Sequence, residues 1–263
     1  MKDVQSRQPD ISKNVDKVGI RELLLPYTVS MKGGGIQHTI ANVSAYVTLT
    51  SSFRGTHMSR IVQILHSYID KSISSDFIDR VLQDLCNRLS APSSYVKMRF
   101  PYLLKKKAPV SNTEGYMTYT CCFEGERVDG AVKHLLTVEV PYMSLCECSK
   151  EISDYNAHNQ RSTAKITVMY RKENTVWIED LIELVEKHAS SPVYSILKRE
   201  DEKYVTEHSY KHPRFVETMA RRLYKDLQND SRVLGFVVVV NHCESIHQHD
   251  AVAVIHGGYV YIP

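Results

Sequence analysis

Apolar and polar positions alternate with a period of two over two early stretches, Gly19 to Met31 and Ile36 to Ser51. The first carries Leu23-Leu24-Leu25 and the β-formers Tyr27, Thr28 and Val29; the second alternates Val43, Ala45, Val47 and Leu49. Both patterns predict strands, the second with one buried face. Lys32-Gly33-Gly34-Gly35 between them predicts a hairpin turn, since glycine tolerates positive φ. The period then changes to 3.6. Met58, Ile61, Val62, Leu65, Tyr68 and Ile69 fall on one helical face. After the capping cluster Ser74-Ser75-Asp76, so do Phe77, Ile78, Val81, Leu82, Leu85 and Leu89, until Ala91-Pro92 stops the helix. Two strand-like stretches follow near 94–105 and 116–127, with a polar turn at Ser111 to Gly115.

The second half repeats this order without repeating the residues. Asp129-Gly130 marks a turn, and Val132 to Leu145 and Ser162 to Arg171 read as strands. Ile178 to His188 and Pro213 to Leu227 read as helices, the second with Phe215, Val216, Met219, Leu223 and Leu227 as its apolar stripe. Val233 to Val240 and Ala251 to Ile262 are the last predicted strands. The expected fold is α+β, with two tandem ββααββ modules, each an antiparallel sheet with helices on one face. Residues 1–14 read as a flexible arm, 15–128 as the first module and 129–263 as the second, which holds most of the candidate chemistry.

Composition narrows the function class. The chain has 263 residues, 43% of them hydrophobic and 24% charged, with a net charge of +3. That balance excludes wholesale disorder and argues against a nucleic-acid partner, which calls for a basic stripe. Lys105-Lys106-Lys107, the densest basic run, reads as a solvated strand end. The longest apolar run, Val233 to Val240, is far short of the roughly 20 residues of a membrane helix. The polar start MKDVQSRQPDIS has no signal-peptide core, so a cytoplasmic location is expected. Six cysteines in a chain this long do not make a disulfide scaffold. Their interest is packing, metal binding or reactivity.

Five polar segments carry the candidate chemistry. Cys146 and Cys148 lie twelve and ten residues before His158, across a loop between two strands. A thiolate and an imidazole brought together suit a zinc-class metal, although spacing alone favours small buried cysteines and a turn-capping histidine. Lys198-Arg199-Glu200-Asp201-Glu202-Lys203 reads as a solvated face or as the source of one carboxylate for that metal. Glu217 sits beside an apolar stripe, where it caps the helix or accepts two parallel hydrogen bonds from a guanine edge. Asn241 to Asp250 is a polar connection in which Glu244 or His247 can transfer protons near neutral pH, or a plain hairpin loop. Phe53 to Arg60 enters the first helix. Its backbone N–H groups with Arg54 and Arg60 suit an anion, or simply form a capped helix start.

Taken together, these segments resemble the type I-B GTP cyclohydrolases. The resemblance rests on Gly55-Thr56-His57-Met58-Ser59-Arg60, Cys146-x-Cys148-Ser149-Lys150-Glu151-Ile152-Ser153 and Ala157-His158-Asn159-Gln160-Arg161-Ser162. It continues through Lys198-Arg199-x-Asp201-Glu202-Lys203-x-Val205-Thr206-Glu207, Phe215-Val216-Glu217 and Glu244-Ser245-Ile246-His247, in the family's order. It implies the tunnelling fold, with ββααββ modules assembling through their sheets into a barrel as a homotetramer. It implies one divalent metal held by Cys146, His158 and Glu202, zinc first, with manganese or ferrous iron as alternatives. Glu217 would anchor guanine, and His57 would face GTP across a subunit interface. Glu244, His247 and Cys148 would sit at the reacting centre. Arg54, Arg60, Lys150 and Arg161 are the candidates for the triphosphate. The implied product is formate with 7,8-dihydroneopterin triphosphate. An archaeal-type relative would give a cyclic phosphate, and a non-catalytic purine binder would leave GTP intact. Two residues depart from the family pattern: Glu147 stands where proline is usual, and Asn156 where glycine is usual.

Overall fold

The computed structural model describes residues 4–259. Two compact units divide them. One gathers the chain up to Pro101 with Cys122–Leu136 and Arg171–Thr175; the other takes Tyr102–Cys121, Thr137–Tyr170 and the chain from Val176 onward.

The first unit is built on the long hairpin of β1 (Val15–Ser30) and β2 (Ile36–Leu49), turned by Gly34 and Gly35 at φ +89° and +87°. β1 starts earlier than its alternation predicts, because two register shifts break the period near Val18 and Leu23. Leu25, Tyr27 and Val29 of β1 and Ala41, Val43, Ala45 and Val47 of β2 are buried. The helices α1 (Met58–His66) and α2 (Ser75–Leu89) bury Ile61, Ile64, Leu65, Phe77, Ile78, Val81, Leu82 and Leu85. Each large apolar side chain so buried contributes about 1.5–3 kcal/mol. The Tyr27 hydroxyl donates to the Leu65 carbonyl at 2.8 Å, satisfying a buried polar group. Met58, expected on the buried stripe, is exposed, and Ile64 takes a core position instead. Between the helices, β3 (Ser72–Ile73) pairs parallel with β1. Ser74 caps α2 by accepting from the Phe77 N–H at 3.2 Å, and Ser90 ends it in left-handed geometry. β4 (Ser93–Lys107) pairs antiparallel with β2. β4, β5 (Glu114–Val128) and β6 (Ala131–Leu145) each contribute residues to both units.

The second unit adds α3 (Glu147–Ile152), β7 (Asn159–Tyr170), α4 (Ile178–His188) and β8 (Ser191–Pro192), then α5 (Arg199–Lys211), α6 (Val216–Gln228), β9 (Val233–His242) and β10 (Ala251–Gly258). β9 lies between β7 and β10, antiparallel to both, with His242 opposite Ser162 and Ala251. Leu181, Ile182 and Val185 of α4 and Met219, Ala220, Leu223 and Leu227 of α6 are buried, as are Ile166, Val168, Phe236, Val238 and Val240 of the strands. The expected continuation of the last strand over 260–262 lies outside the described residues. The hydrogen-bonded strand order is β10-β9-β7-β6-β5-β4-β2-β1-β3, with β8 against β6.

Two features of this unit differ from the sequence reading. The charge run at 198–203 is the first turn of a helix, α5, which has few apolar positions. Asp201 fixes its start. One carboxylate oxygen accepts from the Val110 and Ser111 N–H groups at 2.9 and 2.8 Å; the other accepts from Ser111 Oγ at 2.6 Å and the Lys198 N–H at 2.9 Å. Burial opposes the charge of Asp201, but these donors outweigh it and hold the carboxyl well below the usual carboxylate range. The basic run at 105–107 is also not simply solvated. Lys106 is half-buried, donating to Glu186 at 2.6 Å and to the Val193 carbonyl at 3.0 Å. No helix among the described residues is long and apolar enough to cross a membrane.

Candidate active site

In the second unit, β6 ends at Leu145 and the chain turns into α3. Cys146 is the N-cap: its Sγ accepts from the Ser149 N–H at 3.4 Å, the role a serine oxygen usually fills. Its own N–H donates to the His158 carbonyl at 3.1 Å, and the His158 N–H donates to Ser149 Oγ at 3.2 Å. The loop from 146 to 158 therefore closes on itself and sets Cys146 beside His158. Asn156 permits this closure at φ +101°, a backbone region where asparagine is better tolerated than most residues. The structure thus accounts for Asn156 in place of glycine. Glu147, the other departure, lies in the field of Arg214.

His158 is oriented from behind. Its Nδ1 is 3.0 Å from Gln160 Oε1 and 3.2 Å from Ser245 Oγ. The Gln160 amide nitrogen donates to Glu244 at 3.4 Å, and the Cys243 N–H donates to the Arg161 carbonyl at 3.3 Å. These bonds tie the connection between β9 and β10 to the start of β7. Four sequence candidates, Cys146, His158, Glu244 and Arg161, thus share one neighbourhood. Cys148 is exposed on α3. His247 is exposed in the same connection as Glu244, stacked on His249 with ring centroids 5.0 Å apart.

Among the described residues, no side-chain hydrogen bond joins Lys150, Glu202 or Glu217 to this set. Lys150 donates to the Tyr210 carbonyl at 2.7 Å and lies 4.2 Å above the Tyr210 ring, so it clamps α3 to the end of α5. Glu202 is exposed in the first turn of α5, eight residues before Tyr210. Glu217 is exposed in the first turn of α6, within the field of the buried His242. Arg54, His57 and Arg60 belong to the first unit. There a cavity of about 130 Å³ is lined by Phe53, Thr56, His57, Arg60 and Ser90. α1 starts at His57 without a side-chain cap.

A zinc-class ion calls for sulfur, imidazole or carboxylate donors. The Cys146 and His158 backbones are hydrogen-bonded and the Gln160 amide engages His158 Nδ1; a sulfur and an imidazole are donors of the kind that suit such an ion. Among the described residues, however, no three His, Cys, Asp or Glu side chains stand close enough to hold one. The fold brings Cys146 and His158 together and does not gather Glu202 with them.

Sequence reasoning missed two residues here. Gln160 is buried at the start of β7, in phase with Ser162 and Ala164. His242 is buried with its Nε2 3.0 Å from the Tyr142 hydroxyl, and burial pushes its pKa down to about 4 despite the nearby Glu217. A polar residue on the buried phase of a strand is the signal that marks both.

A family profile described as Type I GTP cyclohydrolase folE2 matches residues 1–253. The chain belongs to this family. It is 45% identical over 255 residues to the GTP cyclohydrolase FolE2 of Pseudothermotoga lettingae, covering 97% of this chain and 98% of that protein. It is 44% identical over 258 residues to the same-named protein of Magnetococcus marinus, covering 98% and 96%. Among solved structures, the uricase of Arthrobacter globiformis matches with a TM-score of 0.55 at 7% identity, over 94% of this chain and 96% of that one. A uricase from Bacillus fastidious matches with a TM-score of 0.54 at 8% identity, over 93% and 94%. At such identities the likeness shows the fold alone. It is the mixed α+β, tunnelling-type fold with a large antiparallel sheet that the FolE2 resemblance implied.

Proposed function

We propose that this FolE2-family chain hydrolyses the guanine ring of GTP at C8, releases C8 as formate and forms 7,8-dihydroneopterin triphosphate. The observation that carries the reading is the hydrogen-bonded set Cys146, His158, Gln160 and Glu244, in a chain matched by the family profile over almost its whole length. Cys146 and His158 would hold one divalent ion, zinc in the first instance; Glu202, the third ligand that the resemblance implies, is not gathered with them in this structure. Such an ion, when bound, lowers the pKa of water from 15.7 to about 7 and so supplies a nucleophile at neutral pH.

The chain's own residues do the rest. Glu244, half-buried and tethered by Gln160, takes a proton from the attacking water or returns it to N7 as the C8–N bond breaks. His247, exposed three residues on, exchanges that proton with solvent. Glu217 accepts from the N1–H and 2-amino group of guanine, holding C8 toward Cys146 and His158. Two waters enter during ring opening and formate release, and one leaves when the rearranged ribose recloses the ring. Arg54, Arg60 and Arg161, exposed and cationic, are the candidates for the triphosphate. Lys150 is committed to α5 and ranks behind them.

A homotetramer is the assembly this reading implies. Exposed Val252 and Val254 on the terminal strand β10, and exposed Leu24 and Ile40 in β1 and β2, support it as surfaces that association would cover. Six free cysteines agree with a cytoplasmic setting.

The deciding experiment is anaerobic incubation with GTP under zinc, manganese and ferrous iron, with formate assayed and the pterin identified by mass. Formate with a neopterin triphosphate is expected. A cyclic phosphate moves the chain to the archaeal-type reaction, and intact GTP under every metal overturns the enzyme reading.

A further inference from the structure

Gln160 has no chemistry of its own, yet it joins two groups that the proposed reaction uses. It is 6% exposed, on the core-facing phase of β7, where an apolar side chain is the ordinary occupant. Both ends of its amide are engaged: Oε1 lies 3.0 Å from His158 Nδ1, and Nε2 donates to Glu244 at 3.4 Å.

The orientation of that amide is determined by charge. A carboxylate only accepts hydrogen bonds, so ionised Glu244 requires the NH₂ end of Gln160. The carbonyl end then faces His158 Nδ1, and an acceptor there requires the proton to sit on Nδ1. Ser245 Oγ, 3.2 Å from the same nitrogen, accommodates that proton by accepting. The lone pair is thereby left on Nε2. Flipping the amide would set its oxygen against the Glu244 carboxylate and remove the acceptor from Nδ1.

We infer that Gln160 is a positioning residue that couples the charge of Glu244 to the tautomer of His158, keeping His158 Nε2 ready to bind the divalent ion. This rests on the metal-site reading above. It adds that the proton-transferring carboxylate and the metal-binding imidazole are set through one amide and not independently.

The test compares the full-length wild type with Gln160→Leu and Gln160→Glu. Zinc affinity is measured by competition with a chromogenic chelator, beside kcat and KM for GTP at saturating zinc. Leucine removes both hydrogen bonds. It is expected to weaken zinc binding and lower kcat by roughly 10–100-fold each, the range for lost second-shell partners. KM for GTP should change by less than about twofold, because ground-state substrate binding is untouched. Glutamate keeps an acceptor for Nδ1–H but cannot donate to Glu244. It should hold zinc as tightly as wild type while kcat falls, a split that a purely structural role would not produce. Wild-type zinc affinity and kcat in Gln160→Leu overturn the inference. If leucine does not fold, zinc loss in a folded Gln160→Glu overturns it instead. Formate release by the wild type reports separately on the catalytic reading, so the two failures are distinguishable.

Discussion

Each unit contains a long strand that runs into a helix through a polar segment, and the two junctions are built differently. At the end of β6, Cys146 caps α3 with its own sulfur, and the loop folds back so that His158 bonds both Cys146 and Ser149. After β2, the chain enters α1 at His57 with no side-chain cap, flanked by exposed Arg54 and Arg60. The first junction satisfies its polar groups internally and holds two side chains at fixed positions. The second has no side-chain cap: the Arg54 and Gly55 N–H groups donate to the Arg7 and Gln5 carbonyls, and the Arg54 and Arg60 side chains remain exposed. A site that must hold a metal needs preorganised donors, whereas an anionic substrate that comes and goes can be met by an open, cationic helix start.

Substitutions can break this contrast. The largest effect is expected for Cys146→Ser. Serine is a good N-cap, so α3 should persist, but the soft ligand is gone. Zinc content should fall to background and kcat by about 10³-fold or more, with circular dichroism unchanged. Retained zinc would break the assignment of the closed junction. His57→Ala at the open junction should raise KM for GTP roughly tenfold while zinc content stays at the wild-type level. Loss of zinc there would erase the distinction between the two junctions.

A third prediction concerns the buried floor of the second unit. His242 is depressed by burial to about 4, so the unfolded chain binds its proton at higher pH than the folded chain does. Its neutral form therefore supports folding above the ordinary histidine range near 6.5, and that support is lost as pH falls through 6.5 toward 4. The pH dependence attributable to His242 should amount to roughly 2–3 kcal/mol across that window. Chemical denaturation of wild type and His242→Phe at pH 7 and pH 4.5 should show a smaller pH dependence in the variant. An equal dependence in both would mean that His242 titrates normally.

The smallest effect sharpens the closed junction itself. Asn156 sits at φ +101°, so Asn156→Gly should raise stability by a few tenths of a kcal/mol, and Asn156→Val should lower it by about 1–2 kcal/mol. Thermal melting gives both numbers, and valine should also lower zinc affinity because the loop positions His158.

Much of the fold was legible because its elements repeat locally. The two-residue alternation of β2, the apolar stripes of α2, α4 and α6, and the capping serine before α2 are properties of short windows, and each appears where its pattern predicts. α5 was not legible, since it is held by Asp201 reaching the turn at Val110 and Ser111, 90 residues away, and not by an apolar stripe. Lys106 misled for a related reason: its partner Glu186 is 80 residues distant, so a charged run looked solvated.

The candidate site divides the same way. By itself, the sequence determined which side chains are candidates for chemistry: a thiol, an imidazole and carboxylates in a recognisable order, because residue type settles what a group can ligate or titrate. Tertiary structure alone decided which of them meet. It set Cys146 against His158 and hung Glu244 from Gln160 across 84 residues of chain. It committed Lys150 to α5 and left Glu202 outside the pair. A hydrogen bond of 3 Å between distant segments depends on strand register and loop closure, and neither is written in any short stretch of residues.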